Sequence, residues 1–267
     1  MPTIQINNHE MYYEIHGEGD PVVCMGGWGT FAHGNEKLLA RGLTDEYQVL
    51  VFDYRGIGES SDEIDVTPSM KMHADDLIGL LDHLQWKNVH MIGLVGMGCC
   101  VAQEVAIQRN DLVRTMVNMG AWVFCDTYLY DQLKLFRDVH RDSGFLTFQQ
   151  FVSIYSFLPE YYNENRDNLL GENAGWKELN GNLVTHERLV EACLNHDVRE
   201  QLCNIQAPCL IIHAAKDLVT GPRTTMPIEE GIPNAIGVTM EDVAHVVAGK
   251  EQKIAFCKIL FDFLHQH

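Results

Sequence analysis

Six short, continuously apolar runs most restrict what this chain can fold into. They are Pro21–Met25, Tyr47–Phe52, Asn88–Ile92, Thr115–Met119, Pro208–His213 and Ala235–Met240. Each is too short for an ordinary helix and lacks the polar alternation of a strand with one wet face, which is what a strand covered on both faces requires. Helical patterns lie between the runs. Thr67-Pro68 opens one in which Met70, Met72, Leu77, Leu80, Leu81 and Leu84 recur at helical spacing; a second extends to about Gln108, and a third, from about Lys250 to His265, closes the chain. Ahead of them, Ile4–Ile15 alternates apolar and polar residues around Asn7-Asn8, as a hairpin does. Strands alternating with helices predict an α/β fold, a mainly parallel sheet with helices on both faces.

Between about Ala121 and Val198 the strand pattern stops, and aromatic-rich helical segments such as LYDQLKLFRDVHR, FQQFVSIYSFL and HERLVEACLNH take its place. With no low-complexity linker on either side, this stretch is expected to sit on the sheet as a cap. The expected division is a core of residues 1–121 and 199–267 with a helical cap over 122–198.

The longest apolar runs fall well short of the ~20 residues of a membrane-spanning helix. The opening MPTIQINNHEMYYEIHG has no charged segment followed by an apolar one, so no secretory signal is read and a cytoplasmic location is expected. A formal charge of −18, from 19 basic and 37 acidic side chains, argues against nucleic acid and anionic lipid as partners. A small molecule is the expected partner, and the oligomeric state is left open. The eight cysteines form no CxxC and have no histidine spacing suited to zinc. They read as core residues in a reducing compartment, with no metal and no other cofactor implied.

In open α/β sheets ligands bind beyond the carboxyl ends of the strands. After Pro21–Met25 comes Gly26-Gly27-Trp28-Gly29, where the amides of Gly27 or Trp28 can approach a ligand oxygen as an oxyanion site requires. After Pro208–His213 comes Ala214-Ala215-Lys216-Asp217, and after Ala235–Met240 comes Glu241-Asp242-Val243-Ala244-His245. Asp217 and His245, on adjacent strand-end loops, suit a carboxylate that orients an imidazole base.

These features resemble the α/β-hydrolase superfamily along nearly the whole chain, in particular the capped group of enol-lactonases, carbon–carbon bond hydrolases and epoxide hydrolases. Asp53-Tyr54-Arg55-Gly56-Ile57-Gly58-Glu59-Ser60 is similar to that family's D-x-R-G-x-G-x-S turn, and Ala74-Asp75-Asp76-Leu77 to the helix that follows it. The resemblance implies the α/β-hydrolase fold: an eight-stranded sheet, the cap inserted after the sixth strand, and Asp217 and His245 where the family has its acid and base. Asp126, just past Thr115–Met119, is an alternative acid, because some members carry theirs there.

The departures bear most on chemistry. Gly26 stands where members usually have a histidine before the oxyanion glycines. The stretch Met91–Cys100, MIGLVGMGCC, falls at the G-x-S-x-G elbow, whose middle residue is the nucleophile. If Gly93 is the first glycine, Val95 takes that place; if the helix containing Val101-Ala102-Gln103-Glu104 sets the register, Gly96 does. Neither side chain can attack a carbonyl. Substitutes are Cys99 or Cys100, about one helical turn on, and more weakly Ser60 or Ser61. The remaining machinery would be a His245–Asp217 base and an oxyanion hole of amides from Gly27, Trp28 and the elbow residue Met97.

Three functions follow. One is an enzyme acting on a small, mostly apolar carbonyl or hydroxyl compound without a covalent nucleophile, by water-mediated hydrolysis or a lyase, decarboxylase or oxygenase-type step. The others are a non-catalytic binder of a small ligand and a hydrolase with an unusual cysteine nucleophile. In the cap, Tyr128, Tyr130, Phe136, Phe145, Phe148, Phe151, Tyr155, Phe157, Tyr161, Tyr162 and Trp176 could line an aromatic pocket or form the cap's own core.

Overall fold

The computed structural model describes residues 3–267. Asn7 and Asn8, both at positive φ (46° and 64°), turn β1 (Thr3–Ile6) into β2 (His9–His16) with Ile6 opposite His9. This is the two-residue hairpin that asparagine favours. The apolar runs become β3 (Asp20–Met25), β4 (Tyr47–Phe52), β5 (Val89–Leu94), β6 (Val113–Met119), β7 (Cys209–Ala214) and β8 (Ala235–Met240). They form one eight-stranded sheet in the order β1-β2-β4-β3-β5-β6-β7-β8, antiparallel at β1, β2 and β4 and parallel from β4 to β8.

Successive residues of a strand point to opposite faces, so runs apolar at every position feed two cores. Val23, Leu50, Met91, Met116 and Ile211 pack on one side with Leu77 and Leu81 of α2 (Met70–Leu84), Val101 and Val105 of α3 (Met97–Gln108) and Ile228 of α8 (Pro222–Gly231). Val22, Val49, Val51, Ile92, Val117 and Ile212 pack on the other with Leu43 of α1 (Leu43–Glu46) and Phe256, Leu260 and Phe263 of α9 (Lys250–Leu264). Helix α2 starts later than Thr67-Pro68 suggests. Ser69 is its N-cap, accepting the Met72 amide at 3.0 Å, because a hydroxyl can satisfy a free helical N–H and Pro68 cannot.

Between β6 and β7 lie α4 (Thr127–Ser143), α5 (Phe145–Ser156), α6 (Pro159–Leu169) and α7 (Leu183–Leu194). Most of the cap aromatics pack on one another, Phe136 against Phe151 and Tyr155 among them; only Phe136 and Trp176 of those predicted also face the main cavity. No helix among the described residues is long and apolar enough to cross a membrane.

Candidate active site

A cavity of about 430 Å³ lies where the carboxyl ends of β3, β5 and β6 meet the cap. Gly26–Phe31 form one wall, Val95, Gly96 and Met97 the floor, and Trp122, Leu133, Phe136 and Val152 much of the apolar remainder. His245 and Val219 enter from the loops after β8 and β7.

Two loops far apart in sequence bring Asp217 and His245 together. His245 Nδ1 is 2.9 Å from Asp217 Oδ2. Asp217 Oδ1 accepts the amides of Val219 (2.7 Å) and Thr220 (2.9 Å), so the loop folds back on the carboxylate. The Thr220 hydroxyl sits 3.1 Å from both Asp217 Oδ2 and His245 Nδ1. Burial by itself would raise the pKa of this fully enclosed carboxyl, but His245 and the two amides outweigh it and hold the group below the usual carboxylate range. An ionised Asp217 fixes the proton of His245 on Nδ1 and leaves Nε2 as the nitrogen free to take another.

The elbow explains why two registers could be read. Strand β5 ends at Leu94 and helix α3 begins at Met97, so two residues make the turn and both lie at positive φ, Val95 at 50° and Gly96 at 87°. Counting from the strand reaches Val95; counting back from the helix reaches Gly96. Gly96, with ψ −101°, immediately precedes the helix, in a conformation barely open to residues with a Cβ. Gly93 and Gly98 are required by close approach. A Cβ on the first would stand 2.6 Å from Cys99 Cα, and one on the second 2.4 Å from the Met25 carbonyl oxygen. At the wall and floor, no described residue accepts a hydrogen bond from the amides of Trp28, Gly96 or Met97. The Met97 amide is free because it is the first of a helix.

The other nucleophile candidates are corrected by the structure. Cys99 and Cys100 are fully buried and point away from the cavity, their thiols directed at the carbonyls of Met119 (3.2 Å) and Trp122 (3.7 Å). Burial pushes the Cys99 thiol up to about 12 and that of Cys100 well above its ordinary value, which disfavours a thiolate at either. Ser60 Oγ is held between the Tyr12 amide and the Asp53 carbonyl, both at 2.9 Å, and Ser61 Oγ accepts the Glu10 amide; both pin β2. Asp126, the alternative acid, caps α4 through the Leu129 amide (2.9 Å) and pairs with Arg223. Its oxygens are committed to structure.

The D-x-R-G-x-G-x-S turn does mechanical work. Arg55 makes a buried two-pronged pair with Asp76 (2.6 and 2.8 Å), and Asp53 accepts His33 Nε2 (2.7 Å) and the Glu59 amide (2.9 Å). The Gly56 carbonyl then receives Asn182 Nδ2 of the cap at 2.9 Å. Glu14, His16 and Glu36 bring ligand atoms within 4.8 Å of one another, but Glu14 is already occupied by Tyr12, His16 and the His33 amide, and none of the three lines the cavity. Sequence reasoning missed Glu178, which does line the cavity. No motif surrounds it; its place depends on how the cap closes.

A family model for the alpha/beta hydrolase fold matches residues 20–251. Among curated relatives, the chain is 26% identical over 263 residues to a protein of Azorhizobium caulinodans named "Putative carbamate hydrolase RutD", covering 96% of this chain and 98% of that one. It is 25% identical over 278 residues to the Pseudomonas putida 2-hydroxy-6-oxononadienedioate/2-hydroxy-6-oxononatrienedioate hydrolase 2, covering 97% and 92%. Among solved structures, an α/β hydrolase from a Medee basin deep-sea metagenome library superposes with a TM-score of 0.86 at 22% identity, covering 100% of this chain and 98% of the other. The enol-lactonase of Burkholderia xenovorans gives 0.82 at 21%, covering 99% and 100%. At such identities these structures speak for the fold.

Proposed function

The chain belongs to the α/β-hydrolase fold family, and on that premise we propose that it hydrolyses a small, largely apolar carbonyl compound by direct attack of water, with no covalent intermediate. One observation carries this reading: His245, bonded to Asp217, faces the same cavity as the free amides of Trp28 and Met97, while the elbow offers only Val95 and Gly96. His245 Nε2 takes a proton from water as the oxygen adds to the carbonyl. The carbonyl oxygen becomes an oxyanion that accepts hydrogen bonds from the Trp28 and Met97 amides. When the intermediate collapses, the imidazolium returns its proton to the departing oxygen or nitrogen, giving an acid and an alcohol or amine. The apolar floor strengthens each of these electrostatic contacts by excluding bulk water.

Esters, lactones and carbamates are the classes to try first, the last because a relative's name specifies one. The eight free cysteines suit a reducing cytoplasm, and the acidic surface suits a small molecule rather than nucleic acid or membrane.

The test is turnover of 4-nitrophenyl esters, lactones and carbamates by wild type and His245→Ala, with hydroxylamine added as a competing nucleophile. Direct water attack predicts activity that falls about 10²–10⁴-fold in His245→Ala. It also predicts no acyl-protein by intact mass under rapid quench. An acyl adduct on any residue, or equal turnover by both proteins, overturns it. The missing nucleophile also favours a second reading, a non-catalytic binder of small ligands, which predicts saturable binding and no product at any pH.

A further inference from the structure

Glu178 is the only acidic side chain among the described residues that line the cavity. It sits in a single 3-10 turn, Lys177–Leu179, at the cap's inner edge. Its Oε2 lies 3.7 Å from where a Cβ on Gly29 would stand, so the carboxyl rests against the glycine loop that carries the Trp28 amide. No other described residue donates a hydrogen bond to it. Burial pushes its pKa up, as does Asp53, while its own backbone amide, Lys177 on the same turn and His33 draw it down without cancelling the rise. Lys37 and His245 face the same cavity. A half-buried carboxyl whose one hydrogen-bond partner is its own backbone amide is still costly, and when ionised it can accept further hydrogen bonds but donate none.

We propose that Glu178 recognises a hydrogen-bond donor on the substrate, an N–H or O–H group next to the reacting carbonyl. This rests on the hydrolytic reading of the same cavity. A neutral donor fits better than a full cation, because Lys37 and Lys177 also line the cavity. A simple apolar ester would fill the cavity and leave the carboxyl unpaired, and sites built around a polar partner reject analogues that lack it.

The experiment compares 4-nitrophenyl glycolate with 4-nitrophenyl methoxyacetate, which differ in the donor hydrogen and one methyl group. Wild type is expected to prefer the glycolate by about 10–100-fold in kcat/KM, the worth of one hydrogen bond to a charged group. In Glu178→Met the ratio should collapse toward one, whatever the variant's absolute rate. Glu178→Gln keeps an acceptor that does not titrate, so its preference should be independent of pH, whereas the wild-type preference should fade as acid protonates the carboxyl. A ratio unchanged in Glu178→Met, or no preference in wild type, overturns the assignment. If wild type hydrolyses neither these esters nor the lactones and carbamates, the hydrolytic reading fails, and binding decides Glu178 alone. 2-Piperidone should then bind more tightly than N-methyl-2-piperidone by calorimetry, with the difference lost in Glu178→Met; equal affinities in wild type overturn the role.

Discussion

His245 can act as a base only while Asp217 stays ionised, and the fold secures this with two backbone amides and a threonine hydroxyl. Asp217→Asn should therefore lower kcat/KM by about 10³–10⁴-fold, because the amide no longer fixes the tautomer of the ring. Activity within a few-fold of wild type would place the base elsewhere. The same carboxyl contributes to acid stability with a definite sign. Its folded pKa lies below the usual value, so its contribution is fully present above about pH 4, the unfolded range, and is lost as pH falls through the lowered folded value. Acid unfolding followed by circular dichroism should be less steep for Asp217→Asn than for wild type below about pH 4. A parallel pair of curves would mean that the carboxyl is not favoured in its charged form. At this scale the pairing of Asp217 with His245 was legible because each follows a strand run in the expected order, although only β7 of the two strands is buried. Thr220 and Glu178 were not, since a loop hydroxyl and a cap carboxyl acquire their roles only from what the fold sets beside them.

The strands were legible for a plain physical reason: a run apolar at every position has no wet face, and β3 to β7 have none, whereas β8, read in the same way, is an edge strand with Ile236 52% exposed. The elbow was harder, because two residues, Val95 and Gly96, lie between β5 and α3, and counting from the strand or back from the helix reaches a different one. Gly96 directly precedes the helix and lines the cavity. A serine there would put its Cβ about 3.2 Å from the Trp122 ring at a φ of +87°. Gly96→Ser should accordingly cost about 1–3 kcal/mol, read as a lowered Tm. In return, its hydroxyl should react with a fluorophosphonate probe that leaves wild type unlabelled, and the reaction should vanish when His245→Ala is added. Labelling of Val95→Ser instead would assign the nucleophile position to the strand register. Labelling of neither would separate the elbow from His245.

Across the molecule, the cap is fastened at two edges that serve different ends. On one edge the Val246 amide donates to the Ser156 carbonyl (3.0 Å), Gln132 Nε2 to the Leu218 carbonyl (3.0 Å), and Arg223 pairs with Asp126, so the loops bearing His245 and Asp217 are tied to α4 and α5. On the other edge Arg188 of α7 reaches down to Asp62 (2.6 Å) and to the carbonyls of Glu63, Ile64 and Val66 (3.2, 3.1 and 2.8 Å). This second fastening holds α7, which is separated by only three residues from the turn that carries Glu178. Removing the guanidinium strips the loop carbonyls of a shared donor and leaves Asp62, whose side chain is 11% exposed, without its partner. Arg188→Met should destabilise the protein by about 1–3 kcal/mol, less than for a fully buried pair because water reaches both groups. The loss should be local. Hydrogen exchange should accelerate over residues 61–66 and 177–194 while α4 stays protected, since its ties lie on the far edge. On the proposed reading, in which Glu178 meets substrate at the loosened edge and His245 is the base at the intact one, KM should rise several-fold with kcat little changed. Exchange that rises evenly over the whole cap would mean that the four cap helices open as one body, with Arg188 only one fastening among equals.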